Sequence, residues 1–523
     1  MNNTLAKILF KIPAVKNFAQ KQYQNVINVR AYSAAAATRF TSDWITEQGS
    51  INREIKAAHK KLLSRARDLA KNNDYVRGFL KRCVTNIVGP DGFKLQNRAI
   101  LNNGDPDETS NVEIETKFDE WCRREYCTVH KTLSFIEVQK LLVTQWKRDG
   151  NILARKIIGK NVNKFGFALE LLEIDLLDTD MHETLRNGNA VIFGIEFNNW
   201  KQPVAYYFKS NKASDELSQN YYGFTRNNVK RVPADEIIHY FSKDHSNQLL
   251  GVTALAQSML TFHDLQGYDQ AAIINARAGA SKMGFIQTQQ NQLPQAYTGD
   301  GEDESGNIIS NFSFGEIEQL PAGLEFKGWD PTYPSGEYPS FVKHILRRLA
   351  TGLGVAYANW VGDLEAVNFS SMRSGLLDER DNWKDDQSQF REGVLIPLFD
   401  EWLKWAMLSG AVNVSYSQYE RVNKPEFIGR RWDWVDPRAD VEAKVLQIKN
   451  NLICLSDAHA EQGYDFNDYI RRRKKELEQL KEIKMLEAEL YPEGKTPQTN
   501  NTNNNNNSNG NGKSLLKDFV KVN

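Results

Sequence analysis

Residues Tyr338–Gln387 read YPSFVKHILRRLATGLGVAYANWVGDLEAVNFSSMRSGLLDERDNWKDDQ, and the run divides into four parts. A helix with an apolar stripe comes first, then a Gly-rich break, a polar loop and a second long helix. An enzyme commonly places a nucleophile or metal ligands at such a break. Here the loop offers Asn368, Ser370, Ser371, Met372 and Arg373, a set suited to touching a polyanion weakly rather than to breaking bonds.

Upstream, Ser50 is the expected N-cap of a helix to about Asn72, and Asp74 that of a second. The second helix carries Val76, Phe79, Leu80, Cys83, Val84, Ile87 and Val88 at helical spacing and ends at Gly89-Pro90-Asp91-Gly92. Helices are also expected at about 112–126 and 135–148, the latter capped by Ser134. Strand-like runs follow at Asn151–Ile158, Phe167–Ile174 and Ala190–Phe197, with an Asn198-Asn199 turn leading to Val204–Phe208 as a hairpin. This α+β block ends near Phe241.

Helical spacing returns from Val252 to about Ala280. The excursion Gln287–Gly336, with scattered Gly and Pro, reads as β or irregular and carries the acidic tip Asp300-Gly301-Glu302-Asp303-Glu304. After the opening segment, a helix runs through Trp402 and Trp405 to Gly410. Asp436-Pro437 marks a helix start, Ser456 caps a short helix closed by Gly463, and Asp465 with Asp468 starts a charged helix. Residues 496–512 are Asn-rich, with too little apolar surface to fold.

The chain has 523 residues, more than one ordinary core holds. Lys plus Arg equals Asp plus Glu at 66 each, which argues against coating nucleic acid by bulk charge and permits self-association. Residues 1–42 hold no acid but do hold Lys7, Lys11, Lys16, Lys21, Arg30 and Arg39, a basic arm. Four cysteines point to a reducing compartment. No apolar run approaches the roughly 20 residues a membrane span needs.

Sites of chemistry are few. Gly510-Asn511-Gly512-Lys513-Ser514 lacks the first Gly and the preceding strand of a phosphate-binding loop. Cys122, Cys127 and His130 lack the second ligand pair of a zinc site. Asp175, Asp178, Asp180 and His182, joined by His239, Asp244 and His245, are the alternative worth carrying: a metal-dependent nuclease. The turn reading is the favoured one: Asp175 ends a strand pattern and the others look like turn residues, where Asp is common for local hydrogen bonding. Arg471, Arg472, Arg473, Lys474 and Lys475 form the densest basic run. They suit either an ion-paired helix or a DNA-facing adaptor surface.

Four segments, in order, resemble the lambda-type phage portal family. They are Arg67-Asp68-Leu69 with Asn72-Asn73-Asp74-Tyr75 and Asn86-Ile87-Val88-Gly89; Ile237-Ile238-His239 leading to Gly251; Ile345 through Gly354-Val355 to Ser370-Ser371-Met372-Arg373; and Trp434, Asp436-Pro437, Glu442 with Gly463-Tyr464-Asp465-Phe466. The chain departs from the family pattern at Asn451, usually Gly, and at Ala356, usually Pro.

The resemblance implies an α+β, multi-part subunit without a cofactor or enzymatic activity. Its parts would be an α/β wing (50–250), a stem helix (251–284), a small β-rich clip (285–337), a second stem helix with channel loop and wing helices (338–429) and a helical crown (430–491), while the basic arm (1–49) and the Asn-rich tail (492–523) are read from composition and have no part in the resemblance. It implies a homo-oligomeric ring, usually of twelve copies, at one capsid vertex of the virion, assembled in the host cytoplasm. Double-stranded DNA would pass through the ring without sequence recognition. Partners would be the terminase large subunit, head-completion proteins, and the major capsid and scaffolding proteins, with no membrane. Site residues would be the channel loop named above, a clip tip of Asp300, Glu302, Asp303 and Glu304, and the crown run Arg471–Lys475.

Overall fold

The computed structural model describes residues 49–209, 229–281, 284–288, 301–302, 308–309, 324–328, 336–365, 369–432, 437–461 and 466–490. The arm, Asn368, Asp300, Asp303, Glu304, Asp436, Gly463, Asp465 and the Asn-rich tail lie outside these residues. The chain divides into two compact units, 1–430 and 431–523. Helix and small antiparallel sheets are mixed in the first, and the regular elements described in the second are helices.

In the first unit, helices form where caps and apolar stripes coincide. Helix α1 (Ile51–Asn72) buries Ile55, Leu63, Ala66 and Leu69. Helix α2 (Asp74–Ile87) is capped by Asn73, whose side chain accepts the Val76 N–H at 3.1 Å, so the cap sits one residue before the expected Asp74. Its end is set by Gly89 at φ +77°. Strand β1 (Lys94–Asn97) leads to α3 (Glu108–Trp121), and after a break at Cys122 to the single turn α4 (Arg124–Cys127). Helix α5 (Phe135–Asp149) has the expected Ser134 cap, completed by Glu137 into a capping box, and stops at Gly150.

Strands β2 (Ile152–Ile158) and β3 (Phe167–Leu172) form a three-stranded sheet with β9 (Ile237–Tyr240), in the order β3-β2-β9. Between them lies a five-stranded antiparallel meander: β4 (Glu183–Thr184), β5 (Ala190–Ile192), β6 (Ile195–Phe197), β7 (Pro203–Lys209) and β8 (Val229–Pro233). The run Ala190–Phe197 is thus a hairpin, not one strand. Phe193 and Gly194 both take positive φ, 56° and 70°, and turn the chain so that Ile192 faces Ile195. Phe193, an uncommon residue at positive φ, is buried in the core shared by α1 and the meander, which explains why the alternation alone concealed the turn.

Helix α6 (Met259–Ser281) starts later than Val252, because residues 253–258 are turns anchored on α5, with Ala254 N–H donating to Lys147 O. Strand β10 (Gly284–Thr288) pairs antiparallel with β13 (Leu324–Gly328), and β11 (Gly301–Glu302) with β12 (Ile308–Ile309), as the β reading of the excursion requires. Helices α7 (Tyr338–Leu353), α8 (Tyr357–Val361) and α9 (Phe369–Phe390) follow. A π turn at Arg391–Leu395 joins α9 to α10 (Ile396–Leu408). Pro397 has no N–H to offer the preceding turn, and the wider π geometry absorbs that loss. Gly393 is required there: any Cβ would overlap the Tyr240 ring.

A single turn, α11 (Tyr419–Val422), precedes β14 (Pro425–Ile428). The latter pairs antiparallel with β1, Lys94 opposite Ile428, tying the two ends of the unit together. The core beneath is aromatic. Phe118 contacts Trp402 edge-to-face at 4.9 Å, Phe135 at 5.6 Å and Phe399 at 5.6 Å. Trp121 donates its indole N–H to Phe167 O at 3.0 Å. Each such ring pair adds about 0.5–1.5 kcal/mol beyond burial.

The second unit contains α12 (Pro437–Lys449), α13 (Leu455–Glu461) and α14 (Phe466–Leu490). Ser456 lies inside α13 rather than capping it; Asp457 instead accepts the Cys454 N–H at 3.4 Å. Among the described residues, no helix is long and apolar enough to cross a membrane.

Candidate channel segment

Helices α6 and α7 lie side by side and antiparallel. Arg348 donates to Thr261 Oγ1 at 2.6 Å near the start of α6, and Tyr338 O–H, at the start of α7, donates to Asp269 Oδ1 at 2.6 Å about halfway along α6. Tyr268 stacks on Tyr338 with ring centroids 5.5 Å apart. Between α6 and α7 in sequence, β10 and β13 also pair antiparallel.

Leu346, Leu349 and Ala350 are buried on α7, while Arg347 and Arg348 are exposed. The helix stops at Gly354, in the left-handed region at φ 69°, and Asn382 of α9 donates to Gly354 O at 3.1 Å. Ala356 has φ −71°, the angle a proline ring imposes, which accounts for the family's proline at this place.

The break is a fixed elbow. Trp360 is buried, donates its indole N–H to Tyr75 O at 3.1 Å, and meets the rings of Tyr75 and Phe262 edge-on. Asn359 donates to the buried Glu379 at 2.7 Å. Lys343 pairs with Asp363 at 2.5 Å, and Tyr357 O–H donates to the same carboxylate at 2.8 Å. Lys343, then Tyr357, hold the Asp363 carboxyl down at about 2.

Ser370, Ser371, Met372 and Arg373 form the first turn of α9 instead of a loop. The straight-chain residues Met372, Arg373, Leu376, Leu377, Glu379 and Arg380 favour helix strongly enough to carry the serines with them. Met372 and Arg373 are half-buried. Glu302 stands in β11, paired with Ile308. In α14, Arg471–Lys475 are exposed and Arg473 pairs with Glu476 at 3.0 Å.

The carboxylates considered for a nuclease are each drawn to a cation. Asp175 pairs with Arg67, Asp178 with Lys209 at 2.9 Å, and Asp180 with Lys60 at 2.5 Å. His182 Nδ1 accepts the Phe193 N–H at 3.4 Å. His239 sits between Tyr206 and Asn151, and burial, then Lys243, depresses its pKa to about 3. Asp244 and His245 present their backbone N–H groups to Gln248. The cluster is an ion-paired support for α1 and the meander. Cys127 is buried and Cys122 half-buried, and burial raises both thiols.

What the sequence reading missed is the anchoring of the elbow. Asn359–Glu379 and Trp360–Tyr75 join residues remote in the chain; a carboxylate amid the buried face of α9 was the available signal.

The family model described as phage portal protein, lambda family, matches residues 37–387. A curated relative, the probable portal protein of Halomonas phage phiHAP-1, is 31% identical over 475 residues, covering 90% of each chain. Among solved structures, the chain is similar to one from the neck of an empty gene transfer agent particle computed with C6 symmetry. That match has a TM-score of 0.43 and 15% identity, covering 77% of this chain and 93% of the other. A chain from the neck of the native particle computed with C12 symmetry gives a TM-score of 0.42 and 15% identity, covering 79% and 98%. With the family model spanning both the front of the first unit and the α6–α9 segment, this chain belongs to the lambda family of phage portal proteins.

Proposed function

We propose that copies of this portal protein close into a ring, usually twelve in the family, at one capsid vertex, with a bore that passes double-stranded DNA during packaging and ejection. The observation that carries this reading is the family match across 37–387. In this reading the wing spans 50–250, α6 and α7 are the stem, the β excursion the clip, and α12–α14 the crown.

Physical features of one subunit support it. Leu260, Ile273 and Ile274 on α6 and Phe341 on α7 are exposed, at 70%, 59%, 63% and 51%, apolar surface that a neighbouring copy in a heterologous ring would cover. A bore that lets DNA slide must hold phosphates weakly, since every added cation contributes affinity and salt dependence. The first turn of α9 meets that need with Ser370, Ser371 and Met372 beside one cation, Arg373. The clip tip (Asp300, Glu302, Asp303, Glu304) is the docking place for the terminase and later for head-completion proteins, and Arg471–Lys475 face the capsid interior with its DNA.

The native mass and negative-stain image of the purified protein test the ring. A monomer or dimer under all conditions refutes it. Replacing Ser370, Ser371 and Arg373 by Ala is expected to leave assembly intact but impair packaging; heads with normal DNA content would refute the channel role.

A further inference from the structure

The first unit contains an open groove of about 1060 Å³ lined by α1, α2 and α5. Its walls are cationic in a chain whose charge is balanced overall. Lys71, Arg77, Lys81 and Lys140 line it, and none of the four is engaged by an ion pair among the described residues. Two further guanidinium groups, those of Arg67 and Arg148, are held in place by Asp149, at 3.0 and 2.7 Å. The Asp149 side chain is only 2% exposed. Burial opposes its ionisation, yet the hydrogen bonds from Arg148 and Arg67 keep its pKa below the usual range. Arg430 closes the rim, donating to Thr85 O at 2.6 Å. The one acidic lining residue, Glu173, lies 3.7 Å from Arg67.

The spacing of the cations is regular. Arg67 and Lys71 on α1, and Arg77 and Lys81 on α2, are four residues apart. Lys140 and Arg148 on α5 are two such steps apart, with Thr144 between. Each step is a rise of about 6 Å along its helix. Three helices thus offer rows of positive charge to one concave space, where a single sign of charge focuses the field.

Between the cations the lining is completed by Ala70, Leu80, Val84 and Pro90, with the hydroxyls of Thr85 and Thr144. A ligand here is recognised by repeated negative charge.

We infer that this groove binds the phosphate backbone of double-stranded DNA without reading its sequence. It is a contact surface additional to the proposed channel segment, since none of its cations belongs to α7, α8 or α9. Phosphate contacts position a duplex but carry no base information, which suits a protein that handles any genome sequence.

The test uses the full-length protein in its purified assembly and a short fluorescent duplex, with binding read by anisotropy between about 50 and 200 mM salt. Replacing Lys71, Arg77, Lys81 and Lys140 together by Ala should weaken binding at low salt at least roughly tenfold. It should also flatten the dependence of log K on log salt by about 0.9 for each phosphate no longer neutralised. The charge-keeping set Lys71→Arg, Arg77→Lys, Lys81→Arg and Lys140→Arg should bind like the parent.

Parent affinity and slope in the alanine variant would overturn the assignment. So would displacement of the duplex by a polyglutamate peptide at equal charge, which would assign the groove to an acidic protein segment. Native mass of the same samples reads the ring independently, so the two proposals fail separately.

Discussion

Lowering the pH from 7 to 5 should reduce the stability of the folded protein through His239, whose neutral ring is part of a hydrogen-bonded latch. The imidazole is satisfied as the neutral form. Nε2 can donate only to Asn151 Oδ1, at 3.3 Å, because that oxygen has no proton; Nδ1 then accepts from the Tyr206 hydroxyl, at 3.3 Å. Asn151 in turn accepts the Gly251 N–H at 2.8 Å and donates to Gly251 O at 3.2 Å. The histidine therefore secures the backbone that leads into α6.

With a folded pKa of about 3 against an ordinary 6.5, the unfolded chain takes up the proton first as pH falls. The neutral group's contribution is complete above 6.5 and is lost progressively towards pH 3. The loss is about 2 kcal/mol at pH 5 and about 4 kcal/mol at pH 3. Part of the residue's surface is open to water, so both are upper bounds. Other groups also titrate, which makes a difference measurement the right assay: urea unfolding of the parent and of His239→Gln at pH 7 and 5. Glutamine can keep one donor and one acceptor but does not titrate. The parent should lose up to about 2 kcal/mol more than the variant across this interval. Equal losses, or an NMR titration of the His239 ring near 6.5, would refute the reasoning.

Gly251→Ala should shift the protein to the insoluble fraction, at a cost above about 3 kcal/mol. Its Cβ would overlap the Gly150 carbonyl oxygen and crowd Phe241 Cβ at 2.6 Å, against backbone that cannot rotate away. An Ellman titration of the folded protein should find Cys454 reacting at once. Cys83, Cys122 and Cys127 should appear only in denaturant, because burial raises their pKa values, Cys83 to about 12. Ala356→Pro should raise stability by about 0.4–1 kcal/mol in thermal melts. Asn451→Ala should speed hydrogen exchange in the last turn of α12, destabilising it by about 1 kcal/mol, whereas Asn451→Gly should not. Asn451 stands at φ +56° and its N–H donates to Ile448 O at 3.1 Å, with Leu452 N–H donating to Gln447 O at 2.9 Å.

These last two positions show how far the sequence could be read. Both departures from the family pattern are met by the conformation the family residue would take: left-handed at Asn451 and proline-like at Ala356. Periodicity and caps located α1, α2, α5 and α7, because one buried face dictates the pattern. The hairpin at Phe193-Gly194 was not legible, since its turn residue is a core phenylalanine. Ser370–Arg373 were read as loop because serines and glycine signal turns locally, while the helix to which they belong is set by residues further on. The elbow's anchors depend on pairs such as Asn359–Glu379, and the cationic groove on three helices meeting; neither follows from spacing along the chain.

The pairing of β1 with β14 also has a consequence in time. Lys94 must wait for Ile428, roughly 330 residues later, which takes about 20 to 70 seconds at ordinary rates of synthesis. Until then the aromatic core, which needs Phe399, Trp402 and Phe427, stays incomplete on the ribosome. The front helices can be made early, but the finished unit becomes available only once β14 has been made. A chain cut short before β14 would therefore lack its closing strand, which would help keep truncated subunits out of the assembled ring.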